Sequence, residues 1–260
     1  MPYRLASNAV WHSLPGVVSA YQPIGAPDAI AARQNVGLWQ RMLGLYTATP
    51  GVAPTWAART GWKGTGSQWL DTAIVPTAST WSYVIRFSGI VGTQGVTFGG
   101  LTAADGYGVF IWPVRLVGGN FWWGNGDGVY SAVSFASGVA AITGKACYVN
   151  GVSTATIPAG WTANAQSLYL LAWHQTAVPQ AQWPLTGNIQ AFAVYSRILT
   201  PAEVWLASMQ MAYCESNPEW NAWAPRRRYW IAPAAGGAVG IYGRRHELRI
   251  PGGVRIEATK

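Results

Sequence analysis

The side chains able to do chemistry are few, and their spacing argues mostly against catalysis. The 260 residues hold nine carboxylates: Asp28, Asp71, Asp105, Asp127, Glu203, Glu215, Glu219, Glu247 and Glu257. Glycoside hydrolysis needs two carboxylates about 5–5.5 Å apart in retaining enzymes, or about 6.5–9.5 Å apart in inverting ones. A strand with acids at alternate positions places such a pair on one face. Here the acids at a two- or four-residue spacing are Glu215 and Glu219 alone, just beyond a predicted helix. His12, His174 and His246 carry no Gly-x-Ser-x-Gly elbow and no His-Glu-x-x-His motif. Lys63 lies among glycines without the Gly-Lys-Ser/Thr ending of a phosphate loop. The expectation is a protein that is not an enzyme, with no catalytic residues.

Binding chemistry has more to work with. Sixteen tryptophans offer apolar rings with one polar handle. Packing in the core is the first expectation for most of them, but Trp122, Trp123 and Trp183, beside turn residues, are the candidate glycan contacts. Arg226, Arg227 and Arg228 run into Tyr229 and Trp230, and Arg244 and Arg245 follow. Such a cluster suits either phosphate-and-base contacts or the carboxylates of a partner protein. A protein partner is preferred to nucleic acid, because arginine pairs bidentately with carboxylates and is favoured at interfaces. Asn125-Gly126-Asp127-Gly128 lacks the alternating acids and distal Glu of a calcium loop. Asn-Gly and Asp-Gly are ordinary turn pairs, so no metal site or cofactor is expected, with calcium at this turn as the alternative. Cys147 and Cys214 make neither a disulfide framework nor a zinc cluster.

Charge is unevenly distributed. The stretch 220–260 has eight basic and two acidic residues, against nine and seven in the rest. Charged residues are only 10% of the chain and apolar ones 50%, which excludes low-hydrophobicity disorder for most of it and permits a large core. No 18-residue apolar run is present, so no membrane span is expected. The first 16 residues lack a signal-like apolar stretch, and a cytoplasmic site of synthesis is expected.

The elements that would position these groups are strands. Residues 81–87 alternate, with Trp81, Tyr83, Ile85 and Phe87 on one face. Residues 109–112 form a short apolar run. Asn150-Gly151 between two apolar segments predicts a type I′ hairpin over 145–157. Residues 167–173 read as a central strand, and 189–195 as another. Thr200-Pro201-Ala202-Glu203 is a capping box with proline at the first helical position, opening one short helix. The fold class expected is all-β: an antiparallel jelly-roll-like sandwich with that helix and a basic C-terminal arm. Residues 1–55 are expected to pack on or enter the sandwich, 56–215 to form it, and 216–260 to be the arm. Within the arm, 246–256 alternate around Pro251-Gly252-Gly253 and suggest a hairpin that needs a partner.

Three segments in order resemble concanavalin A-like and laminin G-like domains. They are 66–72 (GSQWLDT), the Tyr148-Val149-Asn150-Gly151 hairpin, and 187–204 (GNIQAFAVYSRILTPAEV). Asn217-Pro218-Glu219-Trp220 followed by Pro225-Arg226-Arg227-Arg228 resembles the segment after such domains in tailed-phage virion proteins, although Glu219 interrupts the Asn-Pro-Trp spacing. The resemblance implies a structural virion protein: a capsid decoration, head-fibre or minor tail component. It would be a homo-oligomer made in the host cytoplasm and bound to major capsid or tail proteins. The alternative is a carbohydrate-binding module for host or environmental glycans, with a glycoside hydrolase as a more distant one.

Overall fold

The computed structural model describes residues 11–26, 28–36, 46–92, 95–101, 108–115, 120–131, 134–161, 163, 165–175 and 181–216, with side chains to residue 212. The seven arginine and aromatic contacts expected at 226–230, 244 and 245, and the 246–256 hairpin lie outside these residues, as does the expected arm beyond Ser216.

The expected antiparallel sandwich forms, as two stacked sheets. Sheet I runs β13 (Val152–Thr156), β12 (Ala146–Val149), β11 (Gly138–Thr143), β6 (Ser82–Ser88), β17 (Thr186–Tyr195), β4 (Gly61–Thr65), β3 (Thr55–Ala57), with β1 (Val17–Tyr21) also paired to β17. Sheet II runs β10 (Gly128–Ser131), β9 (Asn120–Asn125), β8 (Val109–Arg115), β7 (Phe98–Gly100), β14 (Tyr169–Leu170), β5 (Trp69–Asp71), β2 (Thr49–Val52). Beside this path, β15 (Trp173–His174) pairs parallel to β7 and antiparallel to β16 (Ala181–Gln182).

Alternation builds the core between the sheets. Tyr83, Ile85 and Phe87 of β6 face Phe98, Ile111, Phe121 and Trp123 of sheet II, all essentially without exposure. On β17 the register shifts between Ile189 and Ala191. That extra residue changes the phase of the alternation, so Ile189, Phe192 and Val194 all reach the core.

Strand β6 is buried on its other face too, which alternation alone did not suggest. Val84 joins Val139, Ala141, Ala193 and Tyr195 in a second apolar layer. That layer is closed by Val204, Ala207 and Met211 of helix α2 (Pro201–Ser216), with Trp11 and Leu14 beside them. A shorter helix, α1 (Ala29–Ala32), is capped by Asp28, which accepts from the Ala31 N–H.

The helix starts as its capping box requires. Thr200 Oγ1 accepts from the Glu203 N–H at 3.3 Å, and Glu203 Oε2 accepts from the Thr200 N–H at 2.9 Å. Asn150 and Gly151 both take positive φ, 50° and 81°, as a type I′ turn demands. One expected strand is corrected: 167–173 is not continuous. Leu171 has φ 68°, which breaks the extended run into β14 and β15 and turns Trp173 and His174 over the sheet. Among the described residues no helix is long and apolar enough to cross a membrane.

Candidate functional site: a cleft on the outer face of sheet II

Three strands set the cleft by period-two alternation. On β5, Leu70 is in the core, so its neighbours Trp69 and Asp71 point outward. On β14, Leu170 is in the core and Tyr169 points outward, directly opposite Asp71. The turn at Leu171 then brings His174 back over Tyr169. Three rings stack in sequence: Trp69 on Tyr169 with centroids 4.2 Å apart, and Tyr169 on His174 at 3.7 Å. Beside them, Thr49, Pro50, Gly51, Trp69, Asp71, Ala73 and Tyr169 line a cavity of about 340 Å³. That lies within the usual range of small-ligand sites, about 300–1,000 Å³.

Two backbone features make this geometry. A Cβ at Gly51 would lie 1.7 Å from the Trp69 ring, so only glycine lets the ring settle against β2. Ala73, in the cavity wall, has φ 57°, a strained value for a non-glycine residue. The Asp71 carboxylate helps to hold it, because Oδ1 accepts from the Ala73 N–H at 2.8 Å.

Asp71, Ser167 and His174 are mutually close, but they are ordered wrongly for a nucleophile. Ser167 Oγ donates to Asp71 Oδ1 at 2.6 Å. His174 Nδ1 lies 2.9 Å from the Ser167 carbonyl and 3.2 Å from Ser167 Oγ. A carbonyl only accepts, so Nδ1 carries the proton and cannot take one from the serine. In a working triad the imidazole sits between hydroxyl and carboxylate. Here the hydroxyl sits between the other two. Burial lowers the His174 pKa below its ordinary value, keeping the ring neutral at pH 7. Burial and then the Asp71 charge push the Tyr169 hydroxyl up to about 12. These groups orient one another; they are not poised for proton transfer.

Of the three tryptophans named from sequence, Trp122 and Trp183 share one outer aromatic cluster and Trp123 lies apart from them in the core. Trp123 is fully buried between the sheets, stacked on Phe121 at 4.1 Å, and presents no ring face to a sugar. Its neighbour Trp122 must point the other way. It lies on the outer face with Phe110, Trp112 and Trp173, only 5% exposed, beneath the Arg115 guanidinium at 3.7 Å. Trp183, partly buried, packs on Trp112 and Trp173, both at 5.2 Å. For Trp122 and Trp123, packing describes the rings better than stacking on a ligand. Trp69, Asp71, Tyr169 and His174 were not singled out as contacts, although alternation around Leu70 was a usable signal.

The Asn125–Asp127 turn is held by hydrogen bonds. Lys145 Nζ donates to the carbonyls of Asn125, at 2.5 Å, and Gly160. Asn125 Nδ2 donates to the Ser79 and Gly144 carbonyls, and Asp127 Oδ1 accepts from the Gly128 N–H. The Lys145 side chain thus ties this turn to the Gly160 carbonyl. No group of three metal-ligating side chains occurs among the described residues.

Fold and cleft define a class: an antiparallel β-sandwich with a lined recess on one outer face. No family model matches the chain, and no curated protein does either. Several solved structures are similar to parts of the chain at low identity. One is domain 4 of AbnA, a GH43 extracellular arabinanase from Geobacillus stearothermophilus, in complex with arabinotriose. It is 13% identical, covering 74% of this chain and 98% of that one, with a TM-score of 0.47. A second is the CBM40 of Ruminococcus gnavus IT-sialidase bound to α2,3-sialyllactose, at 13% identity, 57% and 96% coverage and a TM-score of 0.44. A third is a mutant Trypanosoma rangeli sialidase, at 12% identity and a TM-score of 0.45, of which this chain spans about a third.

Proposed function

We propose that this chain is a non-enzymatic glycan-binding sandwich, with the cleft beside Trp69 as its sugar site. The observation that carries this is the composition of that recess: aromatic rings, a carboxylate and a threonine converge on about 340 Å³. A sugar presents C–H surface and hydroxyls together, and needs apolar walls with a few fixed polar groups. Asp71 Oδ2 is an acceptor for a polar group of the sugar, and the ring edges of Trp69 and Tyr169 supply the wall.

The absence of catalysis is supported by how the described acids are used. Asp28 caps a helix, Asp127 closes a turn and Glu203 pairs with Arg197. Asp71 is left without a second described carboxylate beside it. Hydrolysis of laminarin or agar should therefore be undetectable. A glycan microarray probed with the purified chain tests the binding reading. Signal on a defined set of oligosaccharides, lost in Trp69→Ala, is the expected result; an array without signal sinks it.

The sequence supports a carrier for the domain. The Asn217-Pro218 and Pro225–Arg228 segment resembles that of tailed-phage virion proteins, and the 220–260 stretch has most of the net charge. In this proposal the basic arm holds a major capsid or tail protein and the sandwich meets glycans outside the particle. A stoichiometric band of this chain in purified particles is expected; particles that lack it refute the carrier.

A further inference from the structure

Asp71 is used differently from the other described acids. Its Oδ1 accepts from Ser167 Oγ and from the Ala73 N–H, whereas no described residue donates to Oδ2. The ion pair among the described residues is Arg197–Glu203, so no described cation neutralises Asp71. Yet this carboxylate is half-buried and borders the cavity between Thr49 and Tyr169. A carboxylate oxygen with no described donor at the rim of a recess is open to pairing with a ligand.

The rings beside it limit what can serve. Both faces of Tyr169 are covered, one by Trp69 and the other by His174. Tyr169 therefore offers no stacking face. With stacking restricted, the strongest term left in the recess is the free carboxylate oxygen, and its best complement is a compact cation with several N–H donors.

Resting on the glycan reading, we propose that the cleft selects sugars bearing a protonated primary amine, with the ammonium seated on Asp71 Oδ2. The ligand class is thus an amino sugar with its nitrogen unacylated. The sugar ring lies along the Trp69 and Thr49 side of the recess, and acetylation of the nitrogen removes both the charge and two of its three protons.

The test is calorimetric titration of the full chain with chitotriose, the glucosamine trimer, and with its fully N-acetylated form. A charge-assisted hydrogen bond of this kind corresponds to a preference of about ten-fold or more for the amine. That preference should shrink with added salt. Asp71→Asn retains an Oδ1 acceptor for Ser167 and Ala73, so the cleft keeps its shape while the charge is lost. This variant should melt close to the parent and bind both trimers within about two-fold of each other. Equal affinity of the parent for the two trimers, or a preference that survives Asp71→Asn, overturns the amine assignment. If both trimers bind equally and Trp69→Ala abolishes both, the glycan site stands and only its selectivity falls. If neither trimer nor any arrayed sugar binds, both are wrong.

Discussion

At the scale of single residues, the cleft depends on one missing methyl group. The Trp69 ring occupies the space where a side chain at position 51 would begin. Gly51→Ala must therefore lift the ring off β2 and disturb its stack on Tyr169. Overpacking of this sort costs about 1–3 kcal/mol, and the cost should appear as a lower melting temperature with altered tryptophan fluorescence. An unchanged melt and spectrum would mean that the ring has room to move. The sequence held part of this. Leu70 between Trp69 and Asp71 announces that the two outer residues share a face, as does Leu170 after Tyr169. By the same rule Trp122 and Trp123, being adjacent on one strand, cannot line one platform. What no spacing could disclose is the position of His174, since it depends on a positive φ at a leucine, where such a conformation is rare.

At the scale of elements, local signals with a mechanism were the legible ones. The Asn150-Gly151 turn and the Thr200–Glu203 box form as their residue types require. The box has an addition that no local pattern contains: Arg197 reaches Glu203 through two bonds of 2.9 and 2.6 Å. Hydrogen bonding to Arg197, with that from Thr200, depresses the Glu203 pKa to about 2 against partial burial. The folded value lies below the unfolded one of about 4.3, so the stabilisation is present above that unfolded value and is lost as pH falls through about 2. Glu203→Gln should cost about 1–2 kcal/mol at pH 7, from a weakened cap and a broken, partly screened pair. The difference between parent and variant should be mostly closed at pH 2 in urea melts. A gap that persists there would show that Arg197 and Thr200 act without the charge. Strand ends were less legible. The shift on β17 exchanges which residues face the core, and it arises from the pairing with β6, not from the composition of β17 itself.

At the scale of the whole molecule, the described chain is layered: sheet II, an inter-sheet core, sheet I, and a second apolar layer under α2. The centre of sheet I, β6, β11 and β17, is consequently apolar on both faces, which explains the near-continuous hydrophobicity of 189–195. That much follows from composition once the helix is known to cover the sheet; which face the helix covers does not. Strand β17 is the keystone of the arrangement, paired with β6, β4 and β1. It is also nearly the last strand made. Tyr21 on β1 pairs with Phe192, so its partner is synthesised about 170 residues later. At roughly 5–20 residues per second on the ribosome, that is a wait on the order of ten to thirty seconds. During that interval β1, β4 and β6 have emerged with apolar faces and unpaired edges, and sheet I cannot close. The order of the strands thus sets a clock for biogenesis. Nascent chains that end before β17 leave those faces and edges open, and a translational pause there would lengthen their exposure to aggregation.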